Sequence, residues 1–152
     1  MSEAATVEQT DEQGEGIRIV RLRLPAQAEF IALSRLALAG LAEVAMIDEA
    51  MLADLKLALT EAVSDAVRRT GDRREGSVEI RYELSCSELG FEVVDDGAGF
   101  DPGRLPTVEG DASAGDALGL AIVDAIADEL EIDSRAGGQG SRLRFVKRLR
   151  HG

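Results

Sequence analysis

The sequence predicts an α+β domain, a two-layer sandwich in which a mostly antiparallel sheet carries its helices on one face. Three observations lead there. The stretch SVEIRYEL at 77–84 alternates apolar and polar residues, as a half-buried strand does. Two stretches rich in Ala and Leu between 27 and 70 repeat their apolar residues at helical spacing. The late strands are joined by short turns, which favour antiparallel neighbours.

Each element follows in order. Residues 1–15, MSEAATVEQTDEQGE, hold five acids and no base, which reads as a solvated, disordered tail. IRIVRLRLP at 17–25 is a strand ended by Pro25. One helix follows from about 27 to 44 and a second from about 48 to 70, with Asp48 as its cap and Gly71 as its stop. SVEIRYEL sets Val78, Ile80, Tyr82 and Leu84 on one face, with Glu79, Arg81 and Glu83 on the other. GFEVVDD is the next strand. Segment 97–116 contains five Gly and two Pro, and loops of that length inside a domain are usually functional or mobile. ALGLAIVDAIADEL reads as a helix, EIDSR as a strand, GGQG as a turn and SRLRFVKRL as a last strand. In that strand Leu143, Phe145 and Leu149 share a face. No internal repeat is visible, and residues 16–152 read as one domain.

The bulk numbers exclude several classes. A chain of 152 residues buries a core without disulfide or metal staples, and four Phe, one Tyr and no Trp leave that core to Leu, Val, Ile and Ala. A net charge of −12 opposes binding to nucleic-acid backbones. Arg68, Arg69, Arg73 and Arg74 still form a small basic cluster, and a nucleotide needs only a local site. Cys86 is the one cysteine, so there is no intrachain disulfide and no Cys-based zinc site. The acidic N-terminus is not a signal peptide. FIALSRLALAGLAEVAMI is broken by Arg35 and Glu43, so it reads as an amphipathic helix and not as a membrane span. The expectation is a soluble, cytoplasmic protein.

VVDDGAGFDP at 93–102 is the most informative stretch. It fails as an EF-hand loop, because the third position from Asp95 is Gly97. No Gly-Lys pair exists for a P-loop, and Gly97 and Gly99 lead into a Pro-containing loop, not a Rossmann helix. What survives is D-x-G-x-G at a strand end. Asp95 can accept a hydrogen bond from an exocyclic amine in a dry pocket. Gly97 and Gly99 let the backbone approach a flat ring. A helix beginning near Ala117 offers N–H groups and a positive dipole end to phosphates. A plain Asp- and Gly-rich turn remains the competing reading.

In LKLALTEAVSDAVRR, residues Leu52, Leu55, Leu59, Ala62, Val63 and Ala66 form an apolar stripe, with Asp54, Glu61, Asp65 and Arg68 opposite. A solvated face with an i,i+4 pair from Asp65 to Arg69 accounts for this. Glu61 and Asp65 are also i,i+4 and of like sign, a penalty that a bound cation reverses. That makes them candidates for Mg²⁺ ligation and general-base work.

Taken in order, E-x-x-x-N/D on a helix, D-x-G-x-G after a strand, a Gly-rich loop, a GL-containing helix start and a terminal Gly-Ser strand resemble the GHKL ATPase superfamily. The closer resemblance, from about residue 17 to 149, is to the single-domain anti-sigma-factor serine kinases of the RsbW and SpoIIAB type. It implies the Bergerat ATP-binding fold, with ATP and Mg²⁺ as cofactors. It also implies a catalytic role for Glu61, adenine recognition by Asp95 with Gly97 and Gly99 beneath the base, and an ATP lid over 100–116. Gly115, Leu118, Gly119 and Leu120 would lie at the phosphate-side helix start, Ser141 near the adenine, and Asp65 at the Mg²⁺ position. Arg35 falls where the family uses an arginine to bind protein partners, although an ordinary exposed helix arginine accounts for it equally.

Three departures bear on this. The family's Mg²⁺-binding Asn is Asp65 here, the first Gly of G-x-G-L is Ala117, and the lid carries Glu109, Asp111 and Asp116 against one base, Arg104. The implied function is an anti-sigma factor that binds ATP, sequesters a sigma factor and phosphorylates a serine or threonine on an anti-anti-sigma antagonist. The competing reading is an inactive module that regulates transcription by protein binding alone. A histidine-kinase catalytic domain fits poorly, because the one histidine is His151 and no phospho-acceptor helix pair is present. A homodimer is implied only by the resemblance.

Overall fold

The structure is a computed structural model that describes residues 5–10, 16–70, 76–96, 114–134 and 140–149. Six strands and three helices make up these segments: β1 (Ala5–Thr10), β2 (Ile17–Pro25), α1 (Ile31–Ala45), α2 (Glu49–Thr70), β3 (Ser77–Leu84), β4 (Glu88–Asp95), α3 (Ala114–Ile126), β5 (Glu129–Ser134) and β6 (Ser141–Arg148). The strands form one sheet in the order β1-β2-β3-β4-β6-β5, with every neighbour antiparallel. The expected architecture is therefore the observed one.

The alternation in β3 builds the floor of the core: Val78, Ile80, Tyr82 and Leu84 are all buried. Tyr82 is opposite Phe91 in register and Phe91 is opposite Phe145, so three of the chain's few aromatics form a ladder across β3, β4 and β6. Tyr82 and Phe91 meet edge to face at 5.8 Å, and Phe91 stacks on Phe145 at 4.5 Å. Onto this floor α2 lays Leu55, Leu59, Ala62, Val63 and Ala66, while α1 adds Leu38 and Ala42. The other face of the sheet is charged. Arg142 pairs with Glu92 at 3.0 Å and Arg144 with Glu83 at 3.7 Å, half-exposed pairs that contribute at most about 1 kcal/mol each.

Asp48 does cap α2: its Oδ1 accepts the N–H of Met51 at 2.8 Å. The stop at Gly71 lies outside the described residues. Helix α1 starts with a 3-10 turn at Ala28–Phe30 and ends at Met46, whose φ of 57° is left-handed.

Two expectations are corrected. Residues 5–10 are not a free tail but strand β1, paired with β2 so that Val7 meets Val20. Thr6, Val7 and Thr10 are β-branched strand formers, and they cover what would otherwise be the open edge of β2. The remainder of 1–15 lies outside the described residues. The third helix spans Ala114–Ile126, shifted toward the N-terminus, so that Glu129 and Leu130 belong to β5. Leu130 pairs with Phe145, a sheet contact that overrides its helical propensity. Among the described residues, no helix is long and apolar enough to cross a membrane.

Candidate functional site

Strand β4 buries Leu89, Phe91 and Val93, and the same period of two carries Asp95 onto that face. Its carboxylate is therefore enclosed beneath the helices, at 1 % exposure. Register places Ser141, the first residue of β6, directly opposite. Gly140, with a φ of 89°, makes the left-handed turn into that strand. The buried Ser141 hydroxyl donates to Asp95 Oδ2 at 2.6 Å.

Helix α2 crosses above this pair and contributes Asp65 and Arg69. Asp65 is not on the solvent side opposite the apolar stripe, where the sequence reading set it; it is buried at 4 % exposure. Ala58 explains the difference. It is fully buried, and at 100° per residue Asp65 stands about 20° from it around the helix. Arg69, one turn on, donates from Nη1 to Asp65 Oδ2, from Nη2 to Asp95 Oδ2 at 3.0 Å, and from Nε to Ser141 Oγ at 3.1 Å. Arg68 Nη2 lies 3.7 Å from Asp65 Oδ1. The i,i+4 pair expected on the surface is thus an enclosed bridge between helix and sheet, and Arg69 is the participant that sequence reasoning did not single out.

Glu61, one turn before Asp65, faces α3. A Cβ built on Gly119 would lie 2.8 Å from Glu61 Oε2, so a larger residue there would push the Glu61 carboxylate aside. Leu120 is buried beneath the contact and Leu118 is 61 % exposed. Gly115 falls inside the first turn of α3, which begins at Ala114 and not near Ala117. Gly97, Gly99 and the lid residues 100–113 lie outside the described residues.

Arg35 on α1 is half-buried, and its Nη1 donates to Thr60 Oγ1 of α2 at 3.2 Å, beside Glu61. Leu33 and Leu36 are exposed next to it. A separate hollow of about 320 Å³, lined by residues such as Val44, Met46, Leu84 and Cys86, sits at the other end of β3, away from Asp95. Among the described residues, no group of three or more His, Cys, Asp or Glu is placed to hold a metal ion.

The arrangement offers a buried carboxylate and hydroxyl at one end of α2 and a second carboxylate two turns earlier, against a helix that follows a Gly-rich stretch. Residues 24–147 match the histidine kinase-like ATPase domain. Serine-protein kinase RsbW from Bacillus pumilus is 28 % identical over 147 residues, covering 90 % of this chain and 91 % of that protein. Serine-protein kinase RsbW from Listeria innocua is 28 % identical over 122 residues, covering 74 % of this chain and 78 % of that one. Among solved structures, the RsbU and RsbW domains of a Mycobacterium tuberculosis protein superpose with a TM-score of 0.63 at 20 % identity, covering 87 % of this chain and 33 % of theirs. With the domain matched over most of its length, the chain belongs to the histidine kinase-like ATPase domain family.

Proposed function

We propose that this chain is an anti-sigma factor with serine kinase activity: it binds ATP under α2, holds a sigma factor, and phosphorylates a serine or threonine of an anti-anti-sigma antagonist. The observation that supports it best is the burial of Asp95 against Ser141 at one end of α2, with Glu61 against Gly119 farther along the same helix. From Arg69 back to Glu61 the helix rises about 12 Å, room for a nucleotide laid from base to phosphate. The likeness of most of the chain to serine-protein kinases named RsbW supports the same reading.

In this reading Asp95 accepts the exocyclic amine of adenine. The Arg69 and Ser141 donors both fall on Oδ2 and hold the carboxylate in place. Gly97 and Gly99 lie beneath the base, and Gly115, Leu118, Gly119 and Leu120 form the phosphate-side turn of α3. Glu61 orients the attacking hydroxyl and takes its proton as the oxygen bonds to the γ-phosphorus and the bridging bond to ADP breaks. Mg²⁺, which neutralises phosphate charge when bound, takes most of its ligands from phosphates and water and needs one or two carboxylates. Asp65 fits that need as a ligand shared with Arg69. Arg35, flanked by exposed Leu33 and Leu36, belongs to the surface that meets the protein partners. A cytoplasmic location and a homodimer go with this reading.

The test uses the full chain, labelled ATP with Mg²⁺, and an antagonist protein. Wild type transfers label to a serine or threonine. Glu61→Ala slows transfer about 10²–10⁴-fold while ATP affinity stays within about threefold. Transfer by Glu61→Ala at the wild-type rate contradicts the assignment.

A further inference from the structure

Arg69 is the one basic side chain that the described structure carries into the interior between α2 and the sheet; its side chain is 13 % exposed. Its three guanidinium nitrogens go to three different acceptors: Asp65, Asp95 Oδ2 and Ser141 Oγ. A guanidinium spreads its donors over three nitrogens in one fixed plane, whereas an ammonium has to gather all its acceptors around a single nitrogen. Ser141 in turn donates to the Asp95 oxygen that Arg69 also holds, so the two side chains of the β4–β6 end are fixed by one cation. Asp65 belongs to the same cluster through the helix.

The charges explain why the cation is needed. Asp65 and Asp95 are both enclosed, and without Arg69 two buried carboxylates would lie together at the end of the pocket that takes the base of an anionic nucleotide. Buried like charges repel strongly, and an enclosed charge that loses its partner is costly. Asp65, Asp95 and Arg69 together carry one net negative charge, the same as if position 65 were a neutral amide and position 69 were apolar. The half-exposed Arg68 lies 3.7 Å from Asp65 and is present in either case.

We propose that Arg69 is a resident counter-cation of the nucleotide pocket: it cancels the charge of Asp65 and positions the Asp95 carboxylate and Ser141 hydroxyl for the adenine base. This rests on reading the pocket as an ATP site. Arg69 acts through Asp95 and Ser141, so it is a positioning residue. Asp65 is then available to a metal only in competition with the guanidinium, and Arg69 and Mg²⁺ partly substitute for each other.

The experiment titrates the full chain with ATP by calorimetry, in EDTA and in Mg²⁺, for wild type, Arg69→Met and Asp65→Asn/Arg69→Met. In EDTA, Arg69→Met binds at least tenfold more weakly than wild type. Mg²⁺ improves its affinity by a larger factor than it improves wild type, because Asp65 no longer has its internal partner. The double variant, with the cluster's net charge restored, binds in EDTA several-fold more tightly than Arg69→Met but stays weaker than wild type, because the hold on Asp95 and Ser141 is not replaced. If Arg69→Met alone does not fold, a double variant that folds and binds ATP is the same rescue. Arg69→Met binding as wild type does, or a loss that Asp65→Asn leaves unchanged, overturns the inference alone. A wild-type chain that binds no ATP in either buffer overturns the pocket reading, and the positioning role with it.

Discussion

At the residue scale, what the sequence reveals depends on whether position along an element settles orientation. Asp95 is legible because it continues the buried set Leu89, Phe91, Val93 of its strand. Ser141 is legible as a polar residue at a strand start, but its pairing with Asp95 depends on register. Arg69 is not legible: Arg68 is its neighbour in sequence and of the same type, and only the phase of α2 turns one outward and the other inward. For Asp65 the inward phase was carried by Ala58, and small residues give a weak apolar signal. Asp128 is a residue-scale case with a pH signature. Its Oδ2 accepts the N–H of Arg148 at 2.7 Å, and Lys147 Nζ lies 3.6 Å from Oδ1. The backbone donor first, and the neighbouring positive charges after it, hold this carboxyl below the usual carboxylate range. Its folded-state value lies below its unfolded one, so its contribution to stability is present above the unfolded value and lost as pH falls through the lowered one. The melting temperature of Asp128→Ala should therefore lie below wild type at neutral pH, with the gap closing in acid. A gap that stays constant with pH contradicts this.

Among the elements, β3 and α2 were readable because their apolar residues keep one period. Strands β2 and β6 were read from composition, since their buried sets change parity between Ile19 and Leu22 and between Phe145 and Val146. The boundaries of α3 and β5 were not, since ALGLAIVDAIADEL keeps helical propensity past Ile126 and only pairing with β6 ends it. Strand β1 was hidden by the acids that surround it, which dominate the composition of 1–15 although Glu8 alone lies in the strand and Val7 pairs with Val20. The junction between layers also depends on a contact no pattern announces: the Tyr82 hydroxyl, fully buried, donates to the Ser34 carbonyl of α1 at 2.8 Å. Burial pushes this phenol up, so it stays a donor at neutral pH. Tyr82→Phe removes that bond while leaving the ring on Phe91, and should destabilise the chain by about 0.5–1.5 kcal/mol in urea unfolding at neutral pH. An unchanged midpoint contradicts the idea that this bond ties α1 to the sheet.

For the whole molecule, the antiparallel sheet with helices on one face puts the useful groups at one end of a strongly acidic chain. A net charge of −12 would repel a nucleotide unless the site supplied its own cation. On the proposed reading, the enclosed Arg69, the approach of Glu61 to Gly119 and the polar pair under α2 would serve one nucleotide between α2 and the ends of β4 and β6. The most direct test of that account is a calorimetric titration of wild type and Asp95→Asn with ATP, each first shown to unfold cooperatively. The account predicts that wild type binds and that Asp95→Asn binds about 10- to 150-fold more weakly, as expected for a lost charge-assisted hydrogen bond. Equal affinity of the two proteins would contradict it.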